Sequence, residues 1–142
     1  MKKTRTSYAL GTPLVAVALV LLGSGVGGVQ AGEVWVANMK GANVQVIDTD
    51  SLATIATIPT GKGAHNVTIS PDGNLAFVAN VGDGTVSIID ADAKKVLGTV
   101  PGGTKPHDVA VSPDGKLAVS CNVGSGDITF IDVGAKKAVH TM

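Results

Sequence analysis

His65-Asn66-Val67-Thr68-Ile69-Ser70-Pro71-Asp72-Gly73 returns 42 residues later as His107-Asp108-Val109-Ala110-Val111-Ser112-Pro113-Asp114-Gly115. Between 64–100 and 106–142, 18 of 37 aligned positions are identical, so these two segments are copies of one unit. A partial third copy precedes them: Asn38, Asn80 and Asn122 keep the step, as do Asp48, Asp90 and Asp132. A fixed period of this length marks one supersecondary unit stacked on copies of itself.

Each full unit reads as four short strands. In the first full copy the strands are 65–70, 75–80, 85–90 and 95–100. Ser70-Pro71-Asp72-Gly73 separates the first two: proline presets the first corner of a turn, and Asp then Gly suit the rest. Val81-Gly82-Asp83-Gly84 ends the second strand, and the third, 85–90, is rich in β-branched residues. Pro101-Gly102-Gly103 closes the fourth before the next unit restarts at Lys105-Pro106-His107. Such runs, joined by short turns, predict an antiparallel meander. No stretch carries a helical period. Leu75-Ala76-Phe77-Val78-Ala79 is apolar throughout, which suits a sheet covered on both faces.

The first 31 residues stand apart. Lys2, Lys3 and Arg5 precede an apolar run, 14–22, too short to span a bilayer comfortably, and Val29-Gln30-Ala31 offers small residues for cleavage. The expectation is a signal peptide over 1–31 and a mature chain over 32–142, secreted or periplasmic, with no membrane anchor after cleavage. An uncleaved anchor is the rival reading; no cysteine follows the run, which argues against a lipoprotein. Removing three basic residues from eleven leaves eight against eleven acidic ones, a net charge of −3 for 32–142. With no basic run and only Trp35, Phe77 and Phe130 as aromatics there, nucleic acid is not the expected partner. Cys121 is the only cysteine; its counterparts are Ala37 and Ala79, so a small buried strand residue is expected.

Val36-Ala37-Asn38, Phe77-Val78-Ala79-Asn80 and Val86-Ser87-Ile88-Ile89-Asp90, with Ser-Pro-Asp-Gly within each later unit, resemble the YVTN family of β-propeller repeats. The resemblance covers essentially all of 33–142. It departs from the name motif at Trp35 and Phe77, and most at Ser120-Cys121-Asn122. It implies an all-β fold of four-stranded antiparallel propeller blades in a secreted protein.

Strands two to four of a first blade over 33–61, a second blade over 64–103 and a third over 106–142 make about 2.75 blades, an incomplete ring. Closed propellers need roughly four to eight blades. Three readings follow: a fragment of a larger propeller, self-association that completes the ring, or an open stack completed by another protein.

Alternating strand direction puts His65 and His107 at the start of the innermost strands. It puts Asn80 and Asn122 at the ends of the second strands on the same rim, beside the loops 81–84 and 123–126. These four are the candidate ligand-binding residues. Imidazole could ligate a haem or metal ion, or exchange protons near neutral pH. The alternative is that the histidines only cap the strands by bonding to backbone. The asparagines are expected to bond their own backbone two residues on, as are Asp48, Asp90 and Asp132 on the opposite rim. Two histidines fall short of a zinc site, and the loops of Asp83 and Asp127 lack the carboxylates of a calcium motif. Lys94-Lys95 and Lys136-Lys137 are expected to be solvated, and so is His140. No Gly-x-Ser-x-Gly elbow, His-Glu-x-x-His or phosphate loop occurs, so no catalytic residue is assigned. The reading is an exported, non-catalytic module that binds a protein or small ligand at the rim, without cofactor. Its alternative is a periplasmic redox propeller associated with haem or a metal ion, or a lactonase-like enzyme.

Overall fold

The computed structural model of the protein describes residues 32–142 together with the backbone of Ala16–Val17. The signal peptide expected over 1–31 otherwise lies outside the described residues. Strands β1 (Ala16–Val17), β2 (Glu33–Asn38), β3 (Asn43–Asp48) and β4 (Thr54–Pro59) form the first antiparallel sheet. The second holds β5 (Ala64–Ile69), β6 (Leu75–Asn80), β7 (Thr85–Asp90) and β8 (Lys95–Pro101); the third holds β9 (Pro106–Val111), β10 (Leu117–Asn122), β11 (Asp127–Asp132) and β12 (Lys137–Thr141). Every sheet is a simple meander, and the strand limits predicted for the second copy hold to within a residue. The first sheet, expected to lack its inner strand, has the edge of β2 partly paired, Ala16 with Asn38 and Val17 with Ala37. An open strand edge presents unpaired N–H and C=O groups, and a short apolar segment satisfies some of them.

The sheets pack face to face. Trp35, Ala37, Val44 and Val46 of the first blade share one core with Val67, Ala76, Val78 and Ile89 of the second. One repeat on, Phe77, Ala79, Val86 and Ile88 share a core with Val109, Ala118, Ile131 and Val133 of the third. Among the described residues, only the middle sheet is covered on both sides, and this explains its unbroken apolar strands. From Ala76 to Asn80 every residue of β6 is buried, whereas the matching strands β2 and β10 alternate between buried and more open positions. Cys121 departs from expectation for this reason. Its counterparts Ala37 and Ala79 are buried by the next blade, but Cys121 lies on the outer side of the third sheet and is exposed.

Turns at the rim opposite the histidines follow the sequence closely. Asp48, Asp90 and Asp132 accept backbone N–H bonds from two or three residues ahead: from Ser51 at 2.7 Å, from Asp92 and Ala93 at 3.0 and 2.8 Å, and from Ala135 at 2.8 Å. In the Ser-Pro-Asp-Gly turns, Ser70 Oγ donates to Asp72 and Ser112 Oγ to Asp114, each at 2.6 Å. Each serine oxygen also accepts the N–H of the next strand's first residue, Leu75 or Leu117.

Lys94 corrects the expectation of a solvated lysine. Its Nζ lies 2.8 Å from Glu33 Oε2 of the first blade and 2.6 Å from the Ala91 carbonyl. The ammonium also sits 5.0 Å from the centre of the Trp35 ring, whose Nε1 donates to the same carboxylate at 3.2 Å. The turn holds Lys94 at a φ of 55°, which directs its long stem across the seam between blades.

Candidate functional site

Both histidines occupy irregularities of the innermost strands. In β5, Ala64 pairs with Asn80 and Asn66 with Ala79, so His65 is an extra residue without a partner in β6. In β9, Pro106 pairs with Asn122 and Asp108 with Cys121, and His107 is extra in the same way. A bulge re-aims the side chain it carries and frees it from the ladder. Sequence reading placed the histidines at the strand starts but missed the bulges; the repeat shows equal spacing in both copies and gives no sign of an added residue.

The two imidazoles lie against each other, with centroids 3.7 Å apart and planes tilted by 41°. His65 Nδ1 is 3.2 Å from the carbonyl oxygen of His107. A carbonyl only accepts, so this bond puts the proton on Nδ1, and in the neutral ring the lone pair is left on Nε2. The same seam carries a second bond of this kind, from Thr68 Oγ1 to the Val109 carbonyl at 2.7 Å. The expected capping of backbone by histidine is thus seen for His65, and it joins neighbouring blades instead of neighbouring residues.

The asparagines behave differently from the expected turn residues. Each side-chain amide reaches across to the third strand of its own blade. Asn80 Nδ2 donates to Thr85 Oγ1 and Ser87 Oγ at 3.0 and 2.9 Å, and Asn122 Nδ2 to Asp127 Oδ1 and Thr129 Oγ1 at 2.7 and 2.9 Å. Asn38 does the same with Asn43 and Gln45, both at 3.0 Å. The acceptors stand directly opposite and two residues further along, the positions a cross-strand side chain can reach. Asn80 and Asn122 are buried, and a Cβ on Gly61 or Gly103 would run into their amides. They therefore lie beneath the rim, under the glycine-bearing loops that lead into the histidine strands. The recurrence of Gly61 and Gly103 at one step was the available signal for this cover.

These loops are tied to the loops that follow the asparagines. Gly82 N donates to the Lys62 carbonyl at 2.9 Å, Lys62 N to Asp83 Oδ2 at 2.6 Å, and Gly124 N to the Thr104 carbonyl at 3.0 Å. Asp83 and Asp127 are thus occupied by protein donors. Among the described residues, no three His, Cys, Asp or Glu side chains gather in a metal-ligating cluster. His140 is exposed on the outer strand β12 and its ring stands 6.0 Å from that of Phe130. No helix among the described residues is long and apolar enough to cross a membrane.

The fold is found in known proteins. Hydrazine synthase of Kuenenia stuttgartiensis superposes with a TM-score of 0.75 at 23% identity, over 81% of this chain and 33% of that one. The dihydro-heme d1 dehydrogenase NirN, solved in complex with DHE, superposes with a TM-score of 0.69 at 28% identity, over 78% of this chain and 24% of that one. The chain thus spans a third or less of the length of these two proteins. No curated protein matches it. The family description that fits is "Cytochrome D1 heme domain", matched over residues 31–141, and the chain belongs to that β-propeller family.

Proposed function

We propose that this chain is an exported propeller module that holds a haem d1-type macrocycle at the histidine rim. One observation carries the reading: a pair of imidazoles on bulges, His107 exposed and His65 half-buried, the latter with its Nδ1 bonded to a carbonyl so that the lone pair is left on Nε2. The residues fit such a group. A macrocycle brings four of its iron's ligands itself, so the lack of a three-residue metal cluster among the described residues is no obstacle. A ligating histidine is commonly oriented by a bond from its other ring nitrogen to a carbonyl, of the kind His65 makes.

In this reading His65 would hold the iron of the group through Nε2, and His107 orients it through its carbonyl, its own ring lying against the His65 ring. Asn80 and Asn122 do not touch the ligand; they hold the strands and loops from which the histidines project. When bound, the group would supply ligand-exchange or electron-transfer chemistry at its iron, and the chain's own part is binding and orientation. The family and the NirN likeness favour this over a rim for a protein partner or a cofactor-free module. Export rests on the composition of residues 1–31, and the YVTN-like motifs describe the blade sequence within the same reading.

Titration of the purified chain with haem, followed by visible absorption, tests this. A saturable shift of the Soret band is expected, abolished by His65→Ala and weakened by His107→Ala. An unchanged titration in the His65→Ala/His107→Ala double variant would refute the assignment.

A further inference from the structure

The two loops that lead into the histidine strands each carry one lysine, Lys62 and Lys105, and both are exposed. They are not repeat equivalents: the counterpart of Lys62 is Thr104, and that of Lys105 is Gly63. Each loop thus keeps a positive charge while its place within the loop moves. Lys105 also has a φ of 54°, where its counterpart Gly63 has one of 71°. The left-handed region is unfavourable for a residue with a Cβ, so glycine is the natural occupant and local geometry does not account for a lysine there.

Both stems are seated on glycine. A Cβ on Gly82 would stand 3.1 Å from Lys62 Cβ, and one on Gly124 would stand 3.1 Å from Lys105 Cγ. The lysine carbonyls are tied to the same loops, Lys62 O accepting from Gly82 N at 2.9 Å and Lys105 O from Val123 N at 3.2 Å. Lys62 lies three residues before His65 and Lys105 two before His107, which limits the Cα separations to about 10 and 7 Å. Neither ammonium has a carboxylate partner among the described residues, where the one ion pair joins Lys94 to Glu33. The acids beside this rim accept neutral donors instead: Asp83 from Lys62 N, Asp108 from Val109 N and Asp127 from the Asn122 amide.

We propose that Lys62 and Lys105 bind the carboxylates of the macrocycle, so that the histidine rim selects a tetrapyrrole with acidic side chains over an uncharged one. The proposal rests on the haem reading: His65 addresses the iron, and the lysines address the edge of the ring, where tetrapyrroles carry carboxylates on short side chains. An ammonium on a flexible four-carbon stem suits that task, since it meets a carboxylate as a point charge from a range of directions. Exposed pairs of this kind are individually weak and are screened by salt, so selectivity comes from two acting together.

Visible titration of the full chain with haem and with haem dimethyl ester, at low and high salt, is the test. Wild type should bind haem about tenfold more tightly than the ester, and about 0.5 M salt should remove most of that difference. Lys62→Gln and Lys105→Gln should each weaken haem binding about threefold and leave the ester unchanged. Lys62→Arg/Lys105→Arg should retain the wild-type affinity. Lys105→Gly should weaken haem binding equally while unfolding at no lower a urea concentration, because glycine fits that backbone better. Lys137→Gln, at the start of β12 on the opposite rim, should change neither ligand. Equal affinity of wild type for haem and its ester, or a Lys62→Gln/Lys105→Gln variant that binds haem as wild type does, would overturn the proposal and leave the histidine assignment standing. A wild type that gives no absorption shift at all would overturn both.

Discussion

Asn80 Oδ1 is buried without a hydrogen-bond partner, and its counterpart in the next blade is not. Asn122 Oδ1 accepts from Ser120 Oγ at 3.2 Å. The position equivalent to Ser120 is Val78, which is fully buried and has no donor to offer. Val78→Ala removes two methyl groups from the seam and should cost about 2 kcal/mol. Val78→Ser removes the same carbon and adds a hydroxyl. In a dry site that hydroxyl would cost a further ~1–3 kcal/mol, making serine worse than alanine. Here it meets an orphan acceptor: the bond removes the hydroxyl's own penalty and also recovers the roughly 1–3 kcal/mol that the unpaired Asn80 oxygen costs in the alanine variant. Serine should therefore be more stable than alanine at position 78 by about 1 kcal/mol or more. Urea unfolding followed by the fluorescence of Trp35, the one tryptophan, reads this directly, because Trp35 lies in the same core as Val78. Ser120→Ala should lose about 1 kcal/mol in turn. Alanine at 78 equal to or better than serine would refute the reasoning.

Gly103→Ala should lose about 3 kcal/mol: the residue has a φ of 112°, and the new Cβ displaces the Asn122 amide from its two bonds. Gly115→Ala, at a φ of 71° with open space around it, should lose only about 1 kcal/mol, and thermal unfolding by circular dichroism compares the two. Acid stability should follow the turn carboxylates. Hydrogen bonds from the Ser70, Ser112 and Ser51 side chains hold Asp72, Asp114 and Asp48 below the usual 3.8. A lowered folded value means their contribution is complete above that pH and is lost as pH falls through the lower folded values. Asp72 and Asp114 are exposed and Asp48 is partly so, so solvent screening keeps the effect small. The urea midpoint should drop modestly between pH 5 and pH 3, and less so in an Asp72→Asn/Asp114→Asn variant.

What could be read from the sequence was whatever depends on local chemistry repeated at a fixed step. The Ser-Pro-Asp-Gly turns, the Asp48 series and the strand limits all follow from contacts within a few residues, and they were legible. What was not legible depends on contacts between blades. Lys94 looks like any turn lysine until Glu33, 61 residues away, is seen beside it. Cys121 looks like Ala79 until the described sheets are seen to cover Ala79 and leave Cys121 exposed. The asparagines were misread because asparagine at a strand end bonds its own backbone in many proteins; here the residues opposite offer side-chain oxygens within reach, and the glycine cover shuts out water that would compete.

The bulges bring the site and the fold together. Each described blade spends one irregularity on its outer strand as well, where Ile55, Leu97 and Val139 are the added residues and are exposed. The ladder thus absorbs an extra residue at each margin without disturbing the two central strands, whose register runs unbroken from Leu75–Asp90 to Asn80–Thr85. A residue outside the ladder contributes little to sheet pairing, so its side chain is free to change without cost to the blade. At the inner margin that free residue is histidine in both complete copies, whereas at the outer margin it is an aliphatic residue of varying shape. Pairing alone would accept many residues at 65 and 107. On the proposed reading the inner position holds imidazole for a ligand as well as for the bond that His65 makes across the seam. His65→Leu separates the two roles: it should leave the unfolding midpoint within about 1 kcal/mol of wild type while removing the haem-dependent absorption shift. A large loss of stability in that variant would return the histidines to a structural part and detach the rim from ligand binding.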